Sequence, residues 1–134
     1  MSKQEIILGI DLGTTTSESC IYINNKIKMI KNGDGDEIIP SVVALSPSSK
    51  KIIVGNEAEA ISEGNPKNVI TEVKRKMGED IELSLGNNKM RPEEASAEIL
   101  KYIKNYSEDS LGEEIKKAVI TVPANFDGNQ REAT

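Results

Sequence analysis

Ile6-Ile7-Leu8-Gly9-Ile10-Asp11-Leu12-Gly13-Thr14-Thr15-Thr16-Ser17 joins an apolar run to a carboxylate, a glycine and four hydroxyl side chains in succession. Ile6 to Ile10 is crowded with β-branched residues and has no polar alternation, which predicts a buried strand. Asp11-Leu12-Gly13 breaks the run. Ser17 to Ile23 reads as a returning strand, Asn24-Asn25 as a turn, and Ile27 to Lys31 as a third strand of a meander. At the strand end, Gly13 lets backbone approach a ligand closely. Thr14, Thr15 and Thr16 offer successive N–H and O–H donors that suit phosphate oxygens. Asp11 suits a hydrated Mg²⁺, an ion that keeps its waters and uses few carboxylates. Asp-x-Gly is also an ordinary turn sequence, so a plain hairpin accounts equally for these residues on local chemistry alone.

Outward from this stretch, Asn32-Gly33-Asp34-Gly35-Asp36-Glu37 is polar and glycine-rich, a boundary between units rather than core. Ser41 to Leu45 and Ile52 to Val54 read as short strands around Pro47-Ser48-Ser49, and Asn56 as the cap of a short helix through Ala60. Val69, Ile70, Val73 and Met77 predict a helix over 67–77, closed by Gly78. Ile81, Leu83 and Leu85 alternate as a strand before the Gly86-Asn87-Asn88 turn. Pro92, Glu93 and Glu94 open a helix whose stripe is Ala95, Ile99, Tyr102, Ile103 and Tyr106, ended by Gly112. Lys117 to Val122 is a second apolar strand, stopped by Pro123, and Gln130 starts another helix. These two apolar runs flank a polar-bounded insert, so residues 9–31 and 117–122 are expected to pair in one mixed sheet, with residues 35–111 as a smaller lobe.

Composition removes several chemistries. The 134 residues carry 17 basic and 22 acidic side chains, a net charge of −5, without the basic footprint of a nucleic-acid binder. Aromatics are 3% of the chain, too few to stack single-stranded bases. With no His, Ser-His-Asp and Cys-His nucleophiles and most zinc sites are excluded. Cys20 is the lone cysteine, has no internal partner, and reads as a small core residue in a reducing compartment. No apolar run is long enough to span a membrane, and the expectation is a soluble, cytoplasmic protein. Neither Gly-x-x-x-x-Gly-Lys-Ser/Thr nor Gly-x-Gly-x-x-Gly after a strand is present, so P-loop and dinucleotide folds are not supported. Lys74 and Arg75 read by themselves as a solvated basic face, although a lysine can also reach a γ-phosphate as a point charge. Glu108, Asp109, Glu113 and Glu114 read as solvated helix-end charges, and Tyr102 and Tyr106 as packing.

Gly9 to Ser17 resembles the first phosphate motif of the actin, sugar-kinase and heat-shock ATPase superfamily. The fuller resemblance is to the DnaK family of 70-kilodalton heat-shock chaperones. It is carried by Glu37-Ile38-Ile39-Pro40-Ser41-Val42-Val43-Ala44, by Val54-Gly55 with Ala58, by Asn65-Pro66-Lys67-Asn68-Val69 through Met77-Gly78, and by Ser96 to Leu100 with Leu111-Gly112. Its most specific part is Ala118 to Ala124 with Phe126 and Gln130-Arg131-Glu132-Ala133-Thr134. These landmarks run in the family's order from Ile6 to Thr134, which no single motif would establish.

The resemblance implies an α/β chain with a ribonuclease-H-like (actin-like ATPase) mixed sheet with helices, plus an inserted smaller α+β lobe. Residues 1–34 and 112–134 would form the first large subdomain and 35–111 the insert. It implies that Asp11 helps organise hydrated Mg²⁺, that Gly13, Thr14, Thr15 and Thr16 cradle the phosphates of ATP or ADP, and that Lys74 positions the attacking water. Pro123 and Arg131 would relay nucleotide state to a peptide-binding domain, and unfolded peptides and co-chaperones would be partners of the parent protein. Thr16 and Asn125 depart from the family's usual residues, as does Asp127-Gly128-Asn129, and the stretch from Gly78 to Pro92 is short. Alternative expectations are a sugar kinase or a non-catalytic actin-like scaffold. A helix beginning at Gln130 so near Thr134 suggests a truncated chain, expected to bind Mg-ATP weakly, to turn over nothing, and to self-associate through an exposed sheet face.

Overall fold

The computed structural model describes residues 5–134. Its largest sheet contains β1 (Ile7–Leu12), β2 (Thr16–Ile23), β3 (Lys26–Met29), β4 (Ile38–Pro40) and β10 (Lys117–Ile120). The order is β10-β1-β2-β3, with β4 continuing along the edge of β2 beyond β3. β1 and β10 are parallel, with Ile7 opposite Lys117 and Ile10 opposite Ile120, whereas β1 and β2 form an antiparallel hairpin. The expected mixed sheet is therefore present, closed by a strand more than a hundred residues downstream in the chain.

Between them lie β5 (Val43–Leu45), β6 (Ile52–Val54) and β7 (Val69–Ile70), which form a second small sheet in the order β6-β5-β7. A hairpin of β8 (Leu83–Leu85) and β9 (Asn88–Met90) follows. The helices are α1 (Asn56–Ile61), α2 (Pro92–Leu111) and α3 (Gly128–Ala133). Among the described residues, no helix is long and apolar enough to cross a membrane.

The long helix α2 organises the core. Pro92 occupies its first turn and Gly112, at φ 68°, ends it in the left-handed conformation that glycine adopts without a Cβ penalty. Its stripe of Ala95, Ile99, Ile103 and Tyr106 joins Leu8, Ile10, Leu12 and Ile21 of the large sheet in one buried cluster. Each large aliphatic side chain buried there contributes roughly 1.5–3 kcal/mol. Hydroxyls supplement this contact: Ser19 Oγ lies 3.2 Å from Ser107 Oγ and 3.4 Å from the Tyr106 hydroxyl, and Ser17 Oγ lies 2.7 Å from Ser41 Oγ. Tyr102 and Tyr106 pack edge to face with centroids 5.3 Å apart.

Several local expectations are corrected. The segment 67–77 is not a helix. It consists of a 3₁₀ turn at Pro66–Asn68, strand β7, and a second 3₁₀ turn at Val73–Lys76. Val69 and Ile70 are instead paired with Ala44 and Val43, and Glu72 breaks the path at φ 52°. Of Ser41 to Leu45 only Val43–Leu45 is strand, and the unpredicted strand before it, β4, belongs to the large sheet, the two being separated at Ser41-Val42. Asn56 does not cap α1. Gly55 holds that position, and the Asn56 side chain donates to Asp36 at 2.8 Å.

The polar run 32–37 is not wholly solvated either. Asn32 is buried, its Oδ1 accepts from the amides of Asp34 and Asp36, and its amide donates to the Tyr102 hydroxyl at 3.3 Å. Glu108 caps a loop by accepting from the Ile115 amide at 2.8 Å. Cys20 lies in β2 on the face opposite α2 and is only half-buried, so it is not a core residue.

Candidate functional site

The β1–β2 hairpin places the hydroxyl-rich loop. β1 alternates strictly, with Leu8, Ile10 and Leu12 turned into the core and Ile7 and Asp11 turned out. Leu12 pairs with Ser17, which leaves only Gly13 to Thr16 to reverse the chain. That reversal is tight: a Cβ on Gly13 would stand 2.2 Å from the Thr16 carbonyl oxygen. Gly13 is thus required by closure of the loop on itself, a stronger constraint than the ligand approach read from the sequence. The Thr15 carbonyl accepts from the Ser41 amide at 2.8 Å, which fixes the loop to the start of the segment leading into β5. Among the described residues, the amides of Thr14 and Thr15 are not used in any turn or loop hydrogen bond. They remain available to an anionic ligand.

Thr14, Thr15 and Thr16 line a cavity of about 360 Å³. Its other walls come from Pro40, Ser41 and Val42, from Glu59 and Ser62 near α1, and from Thr71 and Glu72. The cavity therefore lies between the hairpin loop and the segment that leads into the 3₁₀ turn carrying Lys74. That turn is clamped from below. Val73 and Met77 are buried, and Ser96 of α2 donates to the Met77 sulfur at 3.3 Å. Gly78, at φ 85°, passes so close to α3 that a Cβ there would lie 2.9 Å from Gln130 Cγ and 3.2 Å from its amide nitrogen. Lys74 is half-buried and, among the described residues, makes no ion pair, while neighbouring Arg75 faces Glu72 at 3.6 Å in an exposed contact.

Asp11 is exposed at the outer end of β1. On one side it is opposite Glu18 of β2, and on the other its Oδ1 accepts from the Thr121 hydroxyl at 2.9 Å. Nothing local in the sequence marks Thr121: a threonine inside Val119-Ile120-Thr121-Val122 is indistinguishable from an ordinary strand residue. Among the described residues there is no cluster of three or more metal-ligating side chains. A carboxylate with one like-charged neighbour, Glu18, and free amides in the following loop suits an ion that keeps its own waters and arrives with phosphates. The donor set therefore fits Mg²⁺ bound as a phosphate complex rather than in a protein cage.

Pro123 and Arg131 lie beyond β10. Pro123 accepts from the Phe126 amide at 3.1 Å, and Arg131 is exposed on α3. No hydrogen bond or ion pair joins the two among the described residues. The start of α3 is instead set by a capping box, in which Asp127 accepts from the Gln130 amide and the Gln130 side chain accepts from the Asp127 amide. Of the sequence-derived residues, the fold gathers Thr14 to Thr16 with the approach to Lys74 around one cavity. Asp11 is adjacent along β1, and Pro123 and Arg131 lie outside the cavity lining.

The shifted side chains are elsewhere, and Arg91 is held above the ordinary guanidinium range by its hydrogen bonds to Glu93 and Asp80. Glu93 is held below the ordinary carboxylate range by its hydrogen bond from Arg91, and burial raises the Tyr106 phenol against the opposing hydrogen bond with Ser19.

The family described as Hsp70 protein matches this chain over residues 7–84 and 79–134. The chain is 46% identical over 131 residues to the chaperone protein DnaK of Ureaplasma urealyticum serovar 10, covering 98% of this chain and 21% of that protein. It is 47% identical over 131 residues to DnaK of Mesomycoplasma hyopneumoniae strain 232, with coverage of 98% and 21%. With DnaK of Methanothermobacter thermautotrophicus the identity is 46% over 138 residues, covering 100% of this chain and 23% of that protein. The chain thus spans about a fifth of the length of the curated relatives it matches.

Proposed function

The chain belongs to the Hsp70 family, and from that premise we propose that it supplies the phosphate-binding side of an ATPase site that drives a protein-folding chaperone. The observation that carries this reading is the cavity between Thr14–Thr16 and Thr71–Glu72, with Asp11 preceding the threonine loop on β1 and Lys74 following Glu72 in the next turn. The fold is then of the ribonuclease-H-like, actin-like type. Residues 1–34, of which 1–4 lie outside the described residues, and 112–134 are its first large subdomain, and 35–111 its insert, although β4 and α2 of the insert also pack on the large sheet.

Each residue has a stated role. The amides and hydroxyls of Thr14, Thr15 and Thr16 receive phosphate oxygens of ATP or ADP, and Gly13 holds them in one tight loop. Asp11 accepts hydrogen bonds from the waters of the Mg²⁺ that accompanies the nucleotide. Bound Mg²⁺ offsets phosphate charge. Lys74 brings a fixed cation to the γ-phosphate and orients the attacking water; phosphoryl transfer depends mainly on such positioning and preorganised charge. Pro123 and Arg131 pass nucleotide state outward to a domain that binds unfolded peptides, with co-chaperones as further partners. The setting is the cytoplasm.

Titration of the 134-residue chain with Mg-ATP and with Mg-tripolyphosphate tests the proposal. Both should shift the backbone amides of Thr14 to Thr16 with weak, similar affinity, because the contacts are to phosphates. Spectra in which these amides stay unmoved while others shift would remove the loop as a phosphate site. No turnover is expected, since an exposed Asp11 and an open cavity do not exclude water from a γ-phosphate.

A further inference from the structure

We propose that Thr121 is a positioning residue for Asp11, selecting one rotamer of its carboxylate and so setting where the second oxygen points. Asp11 lies on β1 and Thr121 just past the end of β10, far apart in sequence, and the ladder between the two strands fixes their meeting. Ile10 pairs with Ile120 in the parallel β1–β10 register, and the Thr121 amide donates to the Ile10 carbonyl at 3.0 Å. The backbone of Thr121 is thereby tied to the residue immediately before Asp11. Its hydroxyl then donates to Asp11 Oδ1 at 2.9 Å. The same hydroxyl also lies 3.5 Å from the Ile10 carbonyl, so both of its acceptors are on the β1 side, and the shorter bond, to an ionised acceptor, is the stronger kind.

The opposite neighbour reinforces the choice. Glu18 faces Asp11 directly across the β1–β2 ladder. Like charges in that relation repel, so the Asp11 carboxylate is disfavoured on the β2 side and received on the β10 side. Among the described residues, Asp11 Oδ2 makes no hydrogen bond, and the tether leaves that oxygen to solvent and ligand. Groups that orient a metal-facing side chain typically change affinity by 10- to 100-fold when removed. Thr121 also precedes Pro123 by two residues, so the tether gives the β10 end a direct hold on the carboxylate.

The inference rests on the reading of Asp11 as the Mg²⁺-facing group, and two separate readouts distinguish the failure of each. The first is the Asp11 side-chain rotamer, measured from three-bond couplings in the ligand-free 134-residue chain. Wild type and Thr121→Ser should show one dominant rotamer, and Thr121→Val should show averaging. The second is Mg-ATP affinity, followed at the Thr14 to Thr16 amides. Thr121→Val should weaken it by about tenfold, Thr121→Ser should stay within about twofold, and in an Asp11→Asn background Thr121→Val should have no further effect. An Asp11 rotamer indifferent to Thr121→Val overturns the inference whatever the affinity, and so does a Thr121→Val loss that persists in Asp11→Asn. A chain that binds no Mg-ATP but whose Asp11 is freed by Thr121→Val retains the positioning role and refutes the nucleotide reading instead.

Discussion

Gly13 and Gly78 are the residues at which a single methyl group would test the architecture of the site. At Gly13 the added carbon would meet the Thr16 carbonyl at 2.2 Å, and both atoms belong to the shortest part of the hairpin. Gly13→Ala must open the loop, at a cost of about 1–3 kcal/mol. Chemical denaturation should show that loss together with displaced Thr14 to Thr16 amides; a variant of unchanged stability would mean that the loop is looser than described. At Gly78 the obstruction is α3 itself, with the added penalty of a left-handed φ of 85°. Gly78→Ala should move Gln130 and the turn at Val73–Lys76 apart, visible as coupled amide shifts in both segments. The sequence signalled Gly13 as a place for backbone to approach a ligand and Gly78 as a helix stop. What each one admits, a carbonyl or a neighbouring helix, is set by contacts across the chain and has no local signature.

At the scale of elements, legibility followed the strength of the local pattern. The helix α2 was readable nearly end to end, because an apolar stripe, an N-terminal proline and a C-terminal glycine all agree. The hairpin β1–β2 was readable from its apolar run and returning strand, although β1 continues through Asp11 to Leu12, where the sequence suggests a break. The stretch 67–77 was not. Its apolar spacing fits a helix, yet Val69 and Ile70 are β-branched and find a strand partner in β5, so tertiary pairing overrides the period. Within α2, Ile103 is fully buried, and Ile103→Ala should cost about 2–5 kcal/mol in denaturant midpoint terms, against little for the exposed Lys104. At its first turn, Glu93 is depressed by the hydrogen bond from Arg91. A carboxylate depressed in the folded state stabilises above its unfolded pKa and loses that contribution as pH falls through the folded one. Glu93→Gln should therefore lower the melting temperature at neutral pH, and the difference from wild type should shrink steadily as pH falls through the acid range below the ordinary glutamate pKa. A gap that persists there would assign the effect to shape rather than charge.

For the whole molecule, the decisive feature is that, among the described residues, the large sheet is covered on one face only. The sequence read Ile6 to Ile10 as buried throughout, because an unbroken apolar run has no polar side. In the fold, α2 takes one face, and Ile7, Tyr22, Ile27 and Val119 are left 48%, 66%, 70% and 62% exposed. Tyr22 and Ile27 are cross-strand partners, and Val119 is opposite Gly9, so these side chains lie on one surface. Gly9 leaves a shallow floor between them, where a Cβ would meet Cys20 Sγ at 3.1 Å. β10 also forms an edge of the sheet, with its outer backbone groups unpaired among the described residues. Contiguous exposed apolar surface with an open strand edge favours association. The isolated chain should therefore sediment as a concentration-dependent mixture of monomer and dimer. Ile27→Lys and Val119→Lys place charge on that face without touching the core, and each should shift the population to monomer with an unchanged melting transition. If wild type is monomeric at every concentration tested, the face does not drive self-association. If the lysine variants dimerise as wild type does, association uses another surface and the open sheet is not its cause.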